Sequence, residues 1–298
     1  MNRSLKLFTV AALAAGVAAC GSGSSDSDAT GTVSFGLTDA PATEFSNVTV
    51  AFTEIQLKPA DGDWISFPLD GFETVNLLDL QGGVTEPLIT DEEVVAGNYT
   101  QLRLIVDTDN SFIKLNGTGD TEYSLAVPSG EQSGLKLQGE FVVAADTSTD
   151  FTIDFDVRKA IVNPAGEALA NYMLRPALRL VNNLEVGSIT GEVDYSGINS
   201  GPVECEYEGS VYIYSGADVT PTDLNVNNEE GPLMVVPVSN EGNDSLYNYT
   251  AAFLTEGAYT VSYSCQFDEN EQDDTLEFIG TQNVTVVAGE ETSAETIQ

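Results

Sequence analysis

The chemistry open to this sequence is carried by carboxylates and cysteines, because it contains 47 Asp and Glu, three Cys and no His. Without His, the Ser-His-Asp and Cys-His forms of nucleophilic catalysis are excluded, together with the commonest ligand of zinc and iron. The 10 Lys and Arg among 298 residues leave a formal net charge of −37. Since phosphate recognition needs clustered Lys and Arg, the charge also excludes nucleic acid as a partner.

An acidic run, DENEQDD at 268–274, offers oxygen ligands at closely spaced positions. Calcium prefers about six to eight oxygen ligands, and alternating Asp and Asn residues supply them in loops. The candidate calcium ligands are Asp268, Asn270, Asp273 and Asp274. The run lacks the turn glycine and the final bidentate Glu of a complete calcium loop, so a solvated acidic hairpin tip is the competing interpretation. No other metal or cofactor is predicted.

Asp154 and Asp156 are two residues apart and therefore share one face of a predicted strand. Glycosidases use two carboxyl groups about 5–10 Å apart, so a carboxylate-dependent hydrolase is one functional alternative. Polar residues on the outer face of an ordinary strand give the same pattern. Neighbouring Arg158 and Lys159 are expected to keep both Asp residues ionised, which argues against a general acid. We therefore predict no catalytic residue and no enzyme activity.

The N-terminus has the pattern of an export signal. Arg3 and Lys6 precede an apolar run over 7–19, which is too short for a stable membrane span. The run ends in VAAC at 17–20, which resembles the bacterial lipobox, in which the Cys is acylated and becomes the new N-terminus. An ordinary secretory signal that happens to contain a Cys is the alternative.

Lipidation at Cys20 predicts where the mature chain begins and how it is held. Residues 1–19 would be cleaved, palmitate-type acyl chains would anchor Cys20 in the membrane, and 20–31 would form a flexible tether. Gly21 after the Cys favours the outer over the inner membrane, by resemblance to known sorting rules. The mature protein would then face the periplasm or the cell surface.

The two remaining cysteines, Cys205 and Cys265, are predicted to pair. Alternation of apolar and polar residues around each directs both thiols toward an apolar layer. An exported protein matures in an oxidising compartment, so we predict a disulfide between them. Two separate buried thiols are the alternative.

Past the tether, period-two alternation predicts an all-β protein. Turn signals separate many short strands, and one short helix is expected within Gly83–Val95. This pattern predicts two β-sandwich domains in tandem. All eight Lys and Arg of the mature chain lie between Lys58 and Arg179. That step in composition divides the chain into domains at 32–181 and 187–298, the second of which is strongly acidic.

Five stretches of the first predicted domain form a recognisable pattern. They are TVSFGLTDAP at 32–41, GNY at 97–99, PSGEQSGLK at 128–136, DFDVRK at 154–159 and LRP at 174–176. Together they resemble a bacterial lipoprotein family known only as domain of unknown function 4382. The resemblance implies a β-sandwich on an envelope lipoprotein, and it implies no known activity.

The second predicted domain carries three further stretches. They are GSITGEV at 187–193, GAYTV at 257–261 and NVTVVAGE at 283–290. They are similar to carboxypeptidase-regulatory-like, transthyretin-like β-sandwich modules, which are usually accessory domains. Some relatives of that fold bind carbohydrate, and the acidic insert after Cys265 departs from the plain module.

The combined patterns predict a non-enzymatic binding or structural module of the bacterial cell envelope. Its partners would be the membrane, through Cys20, and a glycan or an envelope protein; its oligomeric state stays open. A carbohydrate-binding lipoprotein is the alternative function, and it would expose aromatic rings such as Tyr212, Tyr214 or Trp64. The hydrolase alternative would place Asp154 and Asp156 together in a cleft.

Overall fold

The computed structural model describes residues 29–40, 45–127, 134–164, 170–225, 227–228, 230–240, 245–269 and 272–298. Its N-terminal strands are β1 (Thr30–Ala40), β2 (Phe45–Pro59), β3 (Ile65–Asn76), β4 (Glu86–Val95), β5 (Gly97–Leu115), β6 (Tyr123–Ala126), β7 (Leu135–Val143), β8 (Ser148–Asp156), β9 (Ile161–Val162), β10 (Tyr172–Leu174) and β11 (Leu178–Asn182). The C-terminal strands are β12 (Val186–Val193), β13 (Ser210–Ser215), β14 (Met234–Pro237), β15 (Tyr247–Thr255), β16 (Gly257–Ser264), β17 (Ile279–Val286) and β18 (Glu291–Ser293). Short helices are α1 (Val157–Ala160), α2 (Tyr195–Asn199) and a 3₁₀ turn at Leu77–Leu80.

The N-terminal strands form two sheets around one core. Sheet A has the order β11-β8-β1-β4, and sheet B the order β3-β2-β5-β6-β10-β9 with β7 also paired to β5. Strand β1 runs parallel to β8, and its alternating residues Val33, Phe35 and Leu37 are fully buried. Because these side chains point to one face, they pack into the cluster shared by both sheets.

The C-terminal strands form two further sheets with a core of their own. Sheet C has the order β15-β12-β18, and sheet D the order β14-β13-β16-β17. Their shared cluster includes Ile189, Val211, Val261 and Cys265, all fully buried. The described strands thus show the all-β sandwich class predicted from the sequence. The domain boundary between 181 and 187 stays a prediction.

A layer of loops covers the outer face of sheet D. Thr260 and Ser262 of β16 are fully buried, although they point away from the inner core. Tyr212 and Tyr214 lie opposite them on β13 and therefore share this outer face. Both tyrosines pack in a separate apolar cluster with Leu224 and Val235, and loop residues complete its cover. The central strands β13 and β16 of sheet D are consequently buried on both sides, which simple alternation does not predict.

The expected helix within Gly83–Val95 is wrong, because this segment contains strand β4, antiparallel to β1. The register shifts between Val33 and Phe35, and Asp91 adopts a left-handed backbone with φ of 53°. A bulge of this kind inserts an extra residue and breaks strict alternation. The segment therefore lacks the strict period-two pattern that identifies other strands of this chain. Among the described residues, no helix is long and apolar enough to cross a membrane.

Gly187 in β12 allows a close backbone approach to the turn before β18. A Cβ at Gly187 would lie 2.4 Å from the carbonyl oxygen of Val287 and 2.7 Å from that of Glu290. We expect Gly187→Ala to lower the free energy of unfolding by about 3 kcal/mol, because backbone atoms cannot yield as a side chain can. Urea unfolding followed by circular dichroism measures this. Gly36→Ala is the control, since its nearest neighbour would lie at 3.6 Å; an equal loss in both variants would contradict the account.

Candidate functional sites

The disulfide predicted from the sequence is confirmed, with the Cα atoms of Cys205 and Cys265 4.9 Å apart. Residues 203–208 are not a strand. Instead, the backbone N–H groups of Glu206 and Tyr207 donate to the carbonyl oxygen of Cys265, at 2.8 and 3.3 Å. The bridge spans a sequence separation of 60 residues and fastens the segment before β13 to the end of β16. In the chain-entropy model such a bridge stabilises by about 4 kcal/mol.

Two aromatic residues, Tyr207 and Phe267, each follow a disulfide-bonded cysteine by two positions. The rings of Tyr207 and Phe267 stack with centroids 5.1 Å apart and planes within 8° of parallel. Tyr207 Oη and Ser210 Oγ are 3.1 Å apart, and Phe267 N donates to Glu206 Oε2 at 2.7 Å. Phe267 is 63% exposed. We call Tyr207 and Phe267 the aromatic platform. This platform was not predicted from the sequence, although the spacing Cys-x-aromatic, which occurs twice, could have indicated it.

Asp268, the first predicted calcium ligand, holds two loops together. Its Oδ2 accepts hydrogen bonds from Tyr212 Oη at 2.8 Å and from Leu224 N at 3.0 Å. Its other oxygen is buried without a hydrogen-bond partner among the described residues. Burial is the main cause that raises the pKa of Asp268, and the two hydrogen bonds partly oppose it. Asn270 lies outside the described residues.

Asp273 and Asp274 tie the same acidic run to the loop at 223–228. Asp273 Oδ1 accepts from the side-chain amides of Asn225 and Asn228, at 2.7 and 3.0 Å. Asp274 N donates to Asp223 Oδ2 at 2.6 Å. In the part of the chain that the structure describes, no group of three or more Asp, Glu, Cys or His is arranged to hold a metal. These carboxylates organise the loops over sheet D, and the calcium site stays a prediction.

Asp154 and Asp156 share the outer face of β8 and take part in ion pairs. Arg179 Nε donates to Asp154 Oδ2 at 2.6 Å. Arg158 Nε and Lys159 Nζ lie 3.4 and 3.2 Å from the two carboxylate oxygens of Asp156. Burial nevertheless raises the pKa of Asp154, because its effect exceeds the opposing one of Arg179. Alternation in the sequence therefore correctly indicates that Asp154 and Asp156 share one strand face. It does not indicate the raised pKa of Asp154, which depends on the residues that cover the strand.

Asp39 is the buried carboxyl that the sequence analysis did not single out. It is 4% exposed, and its Oδ1 accepts from Val157 N at 3.3 Å. Its Oδ2 is buried without a partner in the described part of the chain. Burial raises the pKa of Asp39 well above its ordinary value, and the nearby Asp154 adds to this. Asp39 comes two residues after Leu37, so it points to the same face as the buried residues of β1. This alternation was the signal in the sequence that could have indicated its burial.

The surroundings of this carboxyl pair do not form a substrate cleft. Asp39 and Asp154 border a cavity of about 20 Å³, a volume that fits one water molecule. Its other walls come from the 3₁₀ turn region and from strands of the C-terminal sheets: Gly82, Gly83, Met234, Val236, Thr250, Ala252 and Phe253. The arrangement seals a junction between sheet A and the C-terminal strands β14 and β15.

A larger cleft of about 460 Å³ opens between β7 and β11. Apolar side chains of both strands and of β8 line it: Leu137, Phe141, Val142, Phe151, Leu178 and Leu180. Its polar lining consists of Glu140, Arg179, Asn182 and Glu185. The backbone also borders it at Gly139. We call this the β7–β11 cleft.

The buried carboxyl at position 39 predicts a pH dependence of stability. The folded state raises the pKa of Asp39, so it holds this proton more tightly than the unfolded chain does. Stability from this group is fully present below the unfolded pKa of about 3.9 and is lost as pH rises toward the raised value. We expect Asp39→Asn, which keeps the acceptor for Val157 N, to be more stable than wild type by about 1–3 kcal/mol at neutral pH.

Urea unfolding between about pH 4 and pH 8 measures this difference. Asp150→Asn, at an exposed position on the neighbouring strand β8, is the control and should follow the wild-type profile. Identical pH profiles for Asp39→Asn and wild type would contradict the assignment.

The loop-organising role of Asp268 predicts a loss of stability on truncation. Asp268→Ala leaves the buried Tyr212 hydroxyl and Leu224 N–H without their acceptor, which costs about 2–3 kcal/mol. Thermal melts measure it, with the exposed Glu256→Ala as control.

The same melts with millimolar calcium at fixed ionic strength test the calcium prediction, which fails if the wild-type midpoint stays unchanged.

Solved structures with some likeness to this chain share little sequence with it. A leucine-rich repeat protein from Bacteroides thetaiotaomicron is 13% identical with a TM-score of 0.23; the comparison covers 90% of this chain and 26% of that one. A protein from Parabacteroides distasonis, provisionally assigned to cell adhesion, is 10% identical with a TM-score of 0.22, over 87% and 84% of the two chains. The minor pilin of Streptococcus agalactiae is 8% identical with a TM-score of 0.21, over 89% and 94%. TM-scores this low carry no argument about fold or function.

The family comparison is specific to the N-terminal strands. No curated protein matches the sequence of this chain. The chain spans about a quarter of the length of the leucine-rich repeat protein named above. The transthyretin-like resemblance of 187–298 stays a prediction. The resemblance of the first predicted domain is confirmed: residues 30–176 of this chain match the family described as Domain of unknown function (DUF4382).

Proposed function

We propose that the protein is a non-enzymatic binding module of the bacterial cell envelope, which receives an extended polypeptide strand in the β7–β11 cleft. The observation that carries this proposal is the position of the cleft between two strand edges. In the described part of the chain, β7 pairs only with β5, and β11 pairs only with β8. A cleft with a sheet edge on each side offers backbone donors and acceptors to an added strand.

The hydrogen-bond register of β11 identifies which of its backbone groups are free. Asp156 N donates to Ala177 O, and Asn183 N donates to Asp150 O. In an antiparallel pair, the residues that bond across alternate along the strand. Arg179 and Val181 therefore bond to β8, while the N–H and C=O groups of Leu178 and Leu180 point away from β8, toward the cleft side of β11.

The floor of the cleft is apolar and rigid. Phe141 and Phe151 lie 5.1 Å apart, centroid to centroid, and Phe151 stacks on the buried Phe35 at 5.3 Å. Tyr99 also stacks on Phe141, at 5.1 Å. Aromatic contacts of this kind add to area burial and hold the ring positions. Apolar side chains on one face of an added strand would find a preformed floor there.

The β7 wall of the cleft is bent by a bulge. Gln138 pairs with Gln101 and Phe141 with Tyr99, so two residues, Gly139 and Glu140, oppose one on β5. Bulges bend a strand and interrupt its ladder, and they are frequent beside functional sites. Here the bulge lies along the cleft itself.

Arg179 belongs to the lining of the cleft, but its guanidinium is buried against Asp154. Its Nε donates to Asp154 Oδ2 at 2.6 Å, and its Nη2 is buried without a partner among the described residues. An added strand would therefore bond to the backbone edge of β11 and not to this side chain. The five residues of β11 extend about 17 Å, which sets the length of chain that fits.

The envelope location in this proposal rests on the N-terminal pattern. Acylation of Cys20 would anchor the chain, and the tether over 20–31 would let the sheets face a partner. Cys20 lies outside the described residues, so its lipidation is part of the proposal. The disulfide between Cys205 and Cys265 supports export, because such bonds persist in oxidising compartments.

No observation favours either alternative function over strand binding. Tyr212 and Tyr214, which a carbohydrate-binding surface would expose, are 0% and 1% exposed. The ring of Trp64 is covered by the guanidinium of Arg103, 3.9 Å from the ring centroid. Asp154, which a hydrolase would need in a cleft, is buried at a junction and paired with an arginine.

Filling the cleft tests the proposal. Gly139 lines the cleft, and a Cβ there would meet only Leu137 Cδ2, at 3.7 Å. Gly139→Trp should therefore fold and occupy the space of an added strand. The probes are fluorescent peptides of about eight residues that alternate Val, Leu or Phe with Thr. The full chain, with Cys20→Ser to keep it in solution, should bind one of them, and Gly139→Trp should weaken that binding at least about tenfold.

Thr74→Trp is the matched control, because Thr74 is an exposed residue on β3, which is also an edge strand of sheet B. It should bind the peptide as the parent chain does. Equal loss in both variants, or no peptide binding at all, would overturn strand addition at this cleft. A glycan array on the same chain tests the carbohydrate alternative. Glycan binding that Gly139→Trp leaves unaffected would assign carbohydrate binding to a site outside the β7–β11 cleft.

A further inference from the structure

We infer that the aromatic platform of Tyr207 and Phe267 is a second, separate binding surface, which takes the arginine side chain of a cationic polypeptide. Phe267 is the exposed aromatic of this pair, at 63%. One of its faces is covered by the Tyr207 ring. Its other face is therefore the one available to a planar group from outside.

The platform is held rigidly by covalent and hydrogen bonds. Each ring follows a half-cystine by two residues, so the disulfide fixes the two chain segments that carry them. Tyr207 N and Phe267 N are both engaged, the first by Cys265 O and the second by Glu206 Oε2. A preorganised aromatic loses little conformational freedom on binding, which is the property of interface anchors. An exposed ring that only covered a loop would not require a disulfide and two backbone hydrogen bonds to hold it in place.

The charge around the platform selects a cation. Glu204, Glu206 and Glu208 precede and flank Tyr207 and are all exposed, as is Glu269 beyond Phe267. The sequence contains no Lys or Arg after Arg179. In space, the positive charge of Arg158 also acts on Tyr207, and it is opposed there by Asp268 and Glu206. An anionic ligand would be repelled by this surface, whereas a cation gains from every flanking carboxylate.

Arginine fits this combination better than lysine or a sugar. Its guanidinium is planar and weakly hydrated, so it stacks on an aromatic face while its N–H groups reach carboxylates at the edge. A lysine ammonium is a strongly hydrated point charge that cannot stack. A sugar would use the ring face but would gain nothing from the net negative charge.

The test compares two peptides of equal charge. The probes are fluorescent Gly-Arg-Gly-Arg-Gly and Gly-Lys-Gly-Lys-Gly, measured by anisotropy on the full chain with Cys20→Ser at about 0.15 M salt. We expect the arginine peptide to bind at least about tenfold more tightly. Phe267→Ala should abolish that preference, and Phe267→Tyr should keep it. Leu184→Ala is the control, because Leu184 is an exposed apolar side chain, at 74%, that does not belong to the platform.

Several results would overturn this assignment. They are equal binding of both peptides, no binding of either, or an arginine preference that survives Phe267→Ala. Glycan binding that disappears in Phe267→Ala without any arginine preference would assign the platform to carbohydrate instead. Because Phe267 does not line the β7–β11 cleft, Gly139→Trp should leave arginine binding unchanged, which separates failure here from failure of strand addition.

Discussion

The parallel pairing of β1 with β8 is the constraint on which the N-terminal sheets depend. Parallel neighbours need a long connection, and here everything from β2 to β7 lies between the two strands. The pairing buries β8 in the middle of sheet A, so the next strand to join, β11, must take the outer position. The free edge that borders the cleft is thus a consequence of topology, and it does not depend on any single side chain of β11.

The same pairing concentrates charge where the sheets meet the C-terminal strands. It sets Thr38 of β1 beside Asp154 of β8 and brings Asp39 close to the same carboxyl. Burial raises the pKa of both Asp residues, although Arg179 is within hydrogen-bond distance of one of them. Unpaired buried polar atoms cost stability and persist where geometry demands them. The contact between sheet A and the C-terminal strands is therefore fixed at a cost in folding stability.

Alternation was enough to predict the all-β class, and alternation together with the export signal was enough to predict the disulfide. The buried face of β1 was visible in Val33, Phe35 and Leu37, because a half-buried strand shows strict period two. The strand at Glu86–Val95 was missed, since a bulge at Asp91 destroys that period. Local patterns carry no information about which strands become neighbours, so the edge position of β11 could not be foreseen.

The candidate sites were predictable only in part, for a related reason. The acidic run at 268–274 was identified as a loop, but the partners of Asp268 lie on Tyr212 and Leu224, more than forty residues earlier. Tyr212 and Tyr214 lie on a strand face that alternation leaves open to solvent, and a loop layer covers it. The aromatic platform depends on a bridge between positions 205 and 265, which places Phe267 on Tyr207. In each case the structure of the site depends on contacts between residues that are far apart in the sequence.

The free edge that β11 presents to the cleft can be detected by residue-resolved amide hydrogen exchange. Measured by NMR on the full chain with Cys20→Ser, the amides of Arg179 and Val181 should exchange slowly, because they bond to β8. The amides of Leu178 and Leu180 should exchange fast and become protected only when a peptide occupies the cleft. Equal protection of all four amides in the free protein would contradict the account.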